Sequence, residues 1–399
     1  MRLIESKAEL LPWNPGIEGV YKTIELAGRC CYKSEDKMTE DSAKAFVDRM
    51  IVSNHTAMLE HGTVYLMVHT IAPEDWDKKI GRHTRLTIDD CRDNLRTNPT
   101  YNKNGKENWW AKEAGHKANV MAVKYADNPY SKVKIVLTKH ELNTKGGIIL
   151  TPTGDMPVIR RGTGKVISIF NTILITTNYR VLVENNWIDD LKYLCDPTEF
   201  HEMRYSFKLT TSIGVTRELN RHRVHSIAEQ STRYCNYSKD KFENEIKFVK
   251  PAWLPLNLGV YKVEKKDKGI GDIVGDGYIK EISNEDADNQ FLAACLNQEI
   301  AYMQLITENG WHQQQAREVL PLCTATEIVH TAFAEDWGHF FDLRYFEKTG
   351  KVHPNMKELV EKMVAEAQKN GIWNDIMSQP SKFEDIFDES NVGTTVGRD

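Results

Sequence analysis

The sequence predicts an α+β protein in which a mixed or antiparallel sheet packs against helices. Three observations carry this. The run Thr63-Val64-Tyr65-Leu66-Met67-Val68 is strand-like, further strand-like runs lie in a polar middle portion, and the C-terminal third has helical periodicity.

Residues 1–70 mix short strands with helix. Over residues 41–51, Ala43, Phe46, Val47 and Met50 recur at helical spacing, with Asp41 or Ser42 as the cap. From about 71 to 202, Asn, Lys, Gly and Asp become frequent, and strand-like runs cover 133–138, 166–177 and 179–184. Residues 205–212 are again strand-like. Residues 214–223 then place Val215, Leu219 and His222 on one helical face, with Arg217 and Arg221 on another. Residues 267–277, rich in Gly and charge, narrowly miss GxGxxG and read as a surface loop. Phe291, Cys295, Tyr302 and Leu305 form a helical stripe before Gly310. A second helix, 313–320, stops at Pro321, and a third runs through Ile328, Ala332, Trp337, Phe341 and Leu343. Pro354 opens a fourth, with Met356, Leu359, Val360 and Met363 inward and Gly371 past its end; 395–399 is a loose tail.

Length and composition exclude more than they select. The 399 residues suit two domains or one elaborated domain, with 40% hydrophobic and 27% charged residues. A net charge of −5 gives no field to gather nucleic acid, so any anion must be gripped locally by Arg or Lys. No apolar run approaches bilayer length, so no membrane partner is expected. The N-terminus lacks a basic region followed by an apolar stretch, and the seven cysteines contain no CxxC. A reducing, cytoplasmic location without a disulfide framework or zinc ribbon is the expectation.

Chemistry concentrates in Arg221-His222-Arg223-Val224-His225-Ser226-Ile227-Ala228-Glu229-Gln230-Ser231-Thr232-Arg233-Tyr234. Two guanidinium groups and an imidazole at a helix end sit where the dipole favours cations. Ser231, Arg233 and backbone N–H groups suit a phosphate, because guanidinium matches phosphate oxygens bidentately. Taken alone, such a segment also reads as a solvated helix end and a surface loop. His222 and His225 lack a third ligand at metal-site spacing, so no metal is expected. Trp109-Trp110 reads as an anchor for the middle portion rather than a base-stacking platform, and His312, His330 and His353 as capping or packing residues.

Arg221-His222-Arg223, seven residues, then Ser231 resembles the RHR-x7-S signature of flavin-dependent thymidylate synthases, the thymidylate synthase complementing protein family. Ser231-Thr232-Arg233-Tyr234 resembles that family's Ser-x-Arg-Tyr. His55-Thr56-Ala57-Met58-Leu59-Glu60-His61, Ala316-Arg317-Glu318-Val319-Leu320-Pro321 and Phe340-Phe341-Asp342-Leu343-Arg344 resemble further blocks in the family's order. The resemblance implies the family's α+β fold over 1–70 and 203–385, an inserted region of mostly β character over 71–202, and a tail over 386–399.

It also implies reductive methylation of dUMP to dTMP with bound FAD, 5,10-methylenetetrahydrofolate as one-carbon donor and NADPH as reductant, in a homotetramer. Arg221, His222 and Arg223 would contact FAD, as would Glu229, Ala57, Phe333, Ala334, Glu335 and His339. Glu229, Gln230, Ser231, Thr232 and Arg233 would line the dUMP site, with Ser231 and Arg233 on the phosphate. Glu218, Leu219, Asn220 and Arg221 would contribute from the adjoining helix, and Arg317 would add a phosphate contact. Arg344 would face the uracil ring as the catalytic residue, since a cation there concentrates electron density at C5. This route needs no cysteine, so Cys323 and Cys235 read as structural.

The departures are specific. Ala57 stands where the family usually has a hydroxyl, Ala228 replaces an Asn, and Glu218 replaces a Gln, which asks Arg217 or Arg221 to pair with it. Phe333 and Glu335 replace an Asn and an Arg. They leave open a related flavin- and folate-dependent modification of another pyrimidine nucleotide, or a non-catalytic nucleotide-binding homologue.

Overall fold

The computed structural model describes residues 1–71, 85–97, 109–144, 164–265, 271–283 and 285–379. In chain order the first elements are β1 (Arg2–Ile4), β2 (Lys7–Leu10), α1 (Gly16–Tyr32), α2 (Ser42–Val52) and β3 (Thr63–Ile71). There follow α3 (Ile88–Thr97), α4 (Trp109–Ala126), β4 (Lys132–Thr144), β5 (Gly164–Asn178) and α5 (Tyr179–Glu184). Next come β6 (Arg204–Ser212), α6 (Ile213–Leu219), β7 (Ser226–Glu229), β8 (Lys247–Val249), β9 (Gly259–Val260), β10 (Lys262–Glu264), β11 (Asp272–Gly275) and β12 (Tyr278–Glu281). The chain continues through α7 (Ala287–Thr307), α8 (Gln313–Ala316), β13 (Ala325–Phe333), α9 (Ala334–Arg344), α10 (Pro354–Lys369) and α11 (Trp373–Met377). Helices and antiparallel or mixed sheets make this an α+β protein. Among the described residues, no helix is long and apolar enough to cross a membrane.

Two compact units divide the chain. The first comprises Met1–Trp13, Ile24–Phe46 and Tyr205–Asp399. Its main sheet has the order β2-β6-β13-β7. In β13, Ile328 to Phe333 are all buried, so both faces are covered, which suits its β-branched Thr326, Ile328, Val329 and Thr331. Trp337 on α9 is fully buried, with its ring 5.0 Å from Phe207, 4.6 Å from His225 and 5.3 Å from Phe340. Its Nε1 donates to the Tyr205 carbonyl at 3.0 Å, so the indole is buried without an unsatisfied donor. A second core gathers Leu3, Phe248, Leu292, Leu296 and Tyr302, beside the β8-β1-β9 sheet. Cys323 packs against that core with its Sγ 3.6 Å from that of Cys295, and Cys235 is fully buried.

The second unit comprises Asn14–Thr23 and Val47–Arg204. β5 lies between β3 and β4, antiparallel to both, in register from Thr63↔Asn178 to Ile71↔Phe170 on one side and from Lys132↔Thr176 to Thr144↔Gly164 on the other. Leu66, Ile173 and Ile175 are fully buried, as are Ala122 and Tyr125 of α4, which packs on this sheet. The middle of the sequence thus holds α3 and α4 as well as its two long strands.

Four local expectations change. Residues 179–184 form a helix rather than a strand: Asn178 accepts from the Val181 N–H at 3.2 Å, and this cap outweighs the alternation of Val181 and Val183. The third C-terminal helix is β13 followed by α9. Ile328 and Ala332, four apart, share a face in either a helix or a strand, so their spacing does not distinguish the two. The 267–277 segment contributes β11, which pairs with β12, although 266–270 lie outside the described residues. α6 ends at Leu219, so Arg221-His222-Arg223 occupies a turn beyond the helix. The Trp109 and Trp110 side chains and the tail at 386–399 also lie outside the described residues.

Candidate functional site

The site is built on the reversal between α6 and β7. Ser212 caps α6 by accepting from the Val215 N–H at 3.3 Å, while Val215, Thr216 and Leu219 face the core. After the C-cap Asn220, three-residue turns reverse the chain within a few residues, with His222 N–H on Leu219 O at 3.0 Å and His225 N–H on His222 O at 3.0 Å. The reversal buries His222 and His225 and exposes Arg221 and Arg223. Neither exposed guanidinium has a carboxylate partner among the described residues.

Arg344, the last residue of α9, reaches back to this turn. Its Nη1 donates to Glu218 Oε2 at 3.2 Å, Nη2 to the Glu218 carbonyl at 3.3 Å, and Nε to His222 Nε2 at 3.2 Å. Burial, aided by the charges of Arg344 and His339, pushes the His222 pKa down to about 4. A neutral imidazole accepting at Nε2 carries its proton on Nδ1. Five N–H bonds less three used leave Arg344 two for a ligand. The partner of Glu218 is therefore Arg344, not Arg217 or Arg221, because α9 brings that guanidinium over the last turn of α6.

Glu229, on β7, accepts from Thr216 Oγ1 at 2.8 Å and Asn220 Nδ2 at 3.4 Å, tying the strand to α6. Burial raises its carboxyl above the ordinary value, against the opposing pull of those hydrogen bonds and of Arg217. Beyond it, the Gln230 N–H donates to Glu327 O at 2.7 Å and the Ser231 N–H to Cys31 O at 2.8 Å. The Ser231 hydroxyl accepts from the Arg233 N–H at 3.3 Å, and Arg317 Nη1 lies 3.4 Å from Thr232 Oγ1. Arg233 is exposed, stacked over Tyr234 at 5.4 Å, and has no carboxylate partner among the described residues.

Two groupings emerge. Arg344, Glu218 and His222 form one; Ser231, Thr232, Arg233 and Arg317 form the other, joined through Glu229 and α6. Leu219 is fully buried, and Phe333 and Ala334 are buried at the start of α9, so these three present little side chain to a ligand. Glu335 and His339 are half-buried on α9. Ala57 is exposed in a 3-10 turn of the second unit, Thr56–His61.

The thymidylate synthase complementing protein family model matches residues 172–370. This span holds both groupings. The chain belongs to this family. Flavin-dependent thymidylate synthases of Thermosipho melanesiensis and Thermosipho africanus are 26% and 29% identical over 147 residues, 37% of this chain and 56% and 57% of theirs. The chain thus spans little more than half the length of these relatives. Solved structures similar to it include a UMP/dUMP methylase from Streptomyces cacaoi bound with 5-Br dUMP, at 22% identity, 44% of this chain, 70% of that chain and a TM-score of 0.30. Thymidylate synthase X from Helicobacter pylori, with FAD and dUMP, has 19% identity over 44% of this chain and 74% of that chain, with a TM-score of 0.28.

The family match begins at Thr172, inside β5, and so takes in residues that the motif resemblance assigns to an insertion. Sequence reasoning also missed the support beneath the Gln230–Ser231 backbone. Lys33 pairs with Glu327 at 2.6 Å and Lys208 with the same carboxylate at 2.9 Å, while Lys208 also reaches Glu35 at 3.3 Å. Cys30, Glu35 and Glu327 have ligand atoms close enough to share a metal. The two ammonium groups already balance both carboxylates, which argues against a cation there. No local spacing announces this network, since Lys33 and Glu327 are 294 positions apart.

Proposed function

We propose that this family member converts dUMP to dTMP, using 5,10-methylenetetrahydrofolate as one-carbon donor and NADPH as reductant with FAD bound. The observation that carries the reading is the meeting of Arg317 with the Ser231-Thr232-Arg233 segment. A hydroxyl and two guanidinium groups, only one with a carboxylate neighbour, suit a nucleotide phosphate. Arg221 and Arg223, exposed and without carboxylate partners among the described residues, fit the diphosphate of FAD. Arg344 would place its two remaining N–H bonds on the ring carbonyls, stabilising the negative charge that develops as C5 becomes nucleophilic. Held by Arg221 and Arg223, a flavin would supply the reducing equivalents that turn a methylene into a methyl group. Neutral His222 fixes the Arg344 fork without adding a competing charge.

A second reading, modification of another pyrimidine nucleotide, is favoured by Glu218, whose carboxylate is a natural acceptor for an exocyclic amine. The enzyme would act as a homotetramer in the cytoplasm, as a flavoprotein of nucleotide biosynthesis.

Purified protein should carry flavin absorbance that bleaches with NADPH, and should convert dUMP to dTMP in the presence of methylenetetrahydrofolate. Arg344→Ala should lower turnover at least about a hundredfold while keeping the flavin spectrum. Methylated product from dCMP but not dUMP would transfer the proposal to the second reading. Absence of flavin and of nucleotide binding would end both.

A further inference from the structure

Glu218 is half-buried, its carboxylate is held by Arg344, and its main-chain carbonyl is held by the same guanidinium. One carboxylate oxygen, Oε1, has no hydrogen-bond partner among the described residues. His222, kept neutral, accepts from the same guanidinium with His339 near it, and Arg217 and Arg221 flank Glu218 along the chain. Within the pair, the Glu218 carboxylate offsets the charge of Arg344. A net-neutral donor–acceptor pair and a lone cation select different ligands. A lone cation rewards an ionised ring, whereas an ion pair offsets that reward with a carboxylate a hydrogen-bond length away.

We propose that Glu218 is a specificity-determining residue that makes the site read a neutral pyrimidine, with Glu218 accepting from a ring N–H while Arg344 donates to the adjacent carbonyl. A carboxylate accepting from N3–H pushes electron density into the ring without removing the proton. The same carboxylate repels a ring that has already lost it. The role is discrimination by charge, and it rests on the proposed nucleotide site.

The test compares dUMP with 5-bromo-dUMP, whose halogen withdraws electrons and acidifies N3, by calorimetric titration of the full flavin-loaded protein at mildly alkaline pH. Glu218→Gln keeps an oxygen acceptor for Arg344 and removes only the charge. It should shift the affinity ratio toward 5-bromo-dUMP by at least about fivefold, because a like charge near an ionised ring is removed. The shift should vanish at mildly acidic pH, where both rings are neutral. Glu218→Asp, which keeps the charge, should restore the wild-type ratio, an outcome that loss of packing alone would not give. Should the Gln variant fail to fold, Glu218→Ala carries the same comparison. An unchanged ratio in a folded, nucleotide-binding, uncharged variant overturns the proposal. If wild-type protein binds neither nucleotide, the fault lies with the proposed nucleotide site.

Discussion

His222 shows how a single side chain can couple site geometry to acid stability. Its ring packs 4.8 Å from Phe340 and accepts from Arg344, and burial beside that charge carries its pKa from 6.5 to about 4. The folded protein therefore binds fewer protons than the unfolded chain between those values, so this residue makes stability rise with pH across that window and flatten above it. His222→Phe keeps a ring against Phe340 but cannot titrate. Urea denaturation across the window should show a shallower pH slope in the variant. At neutral pH the cost should be about 1 kcal/mol for the lost hydrogen bond. Equal slopes would mean that His222 is not the neutral, buried acceptor described. The sequence made the Arg-His-Arg motif visible because its residues are contiguous. The Arg344 partnership is not visible there, since Glu218 lies 126 positions away and pairing at that range is set by how α6 and α9 both pack against β13.

At the scale of elements, local chemistry and tertiary burial gave different answers in instructive places. The capped helix α5 contradicts the β propensity of its own Val181 and Val183, and Asn178 decides the matter. Asn178→Ala should cost about 1 kcal/mol in chemical denaturation, and a neutral result would remove the cap from the explanation. By contrast, α10 was legible from Pro354 onward, because Met356, Leu359, Val360 and Met363 mark one face and all are fully buried. The sequence does not separate β13 from α9, because apolar residues four apart satisfy both periodicities; burial of both strand faces resolves it. The support beneath Ser231 lies at this scale too. Burial would raise the Glu327 carboxyl, but Lys33 and Lys208 together hold it below its ordinary value. Its stabilising contribution is thus present above the ordinary carboxylate range and lost as pH falls through the depressed value. Glu327→Gln leaves two half-buried lysines with one carboxylate between them and should cost about 2 kcal/mol. It should also weaken nucleotide affinity, because unbalanced ammonium groups would disturb the stretch of β13 whose Glu327 main-chain carbonyl, itself kept in the variant, accepts from the Gln230 N–H. Unchanged melting and affinity would show that the network is ornamental.

Arg221, Arg223 and Arg233 are exposed without carboxylate partners among the described residues, while the large apolar side chains of Val224, Tyr234 and Leu322 are 64%, 52% and 55% exposed. Apolar side chains interleaved with unpaired guanidinium groups suit a surface completed by another copy of the chain and by an anionic ligand together. If the Arg221 turn and the Arg233 segment of one site belong to different copies, two inactive variants should rescue each other. Arg221→Ala and Arg233→Ala, each inactive alone, would be unfolded together, refolded as a mixture and assayed. Random assembly leaves roughly a quarter of sites with both residues intact, because each contributing copy has an even chance of being unmutated at the relevant position. Recovery of that fraction of wild-type turnover, together with a mass near four chains in light scattering, would establish a shared site. A mixture as inactive as its components would place both residues in one copy and confine assembly to a structural role.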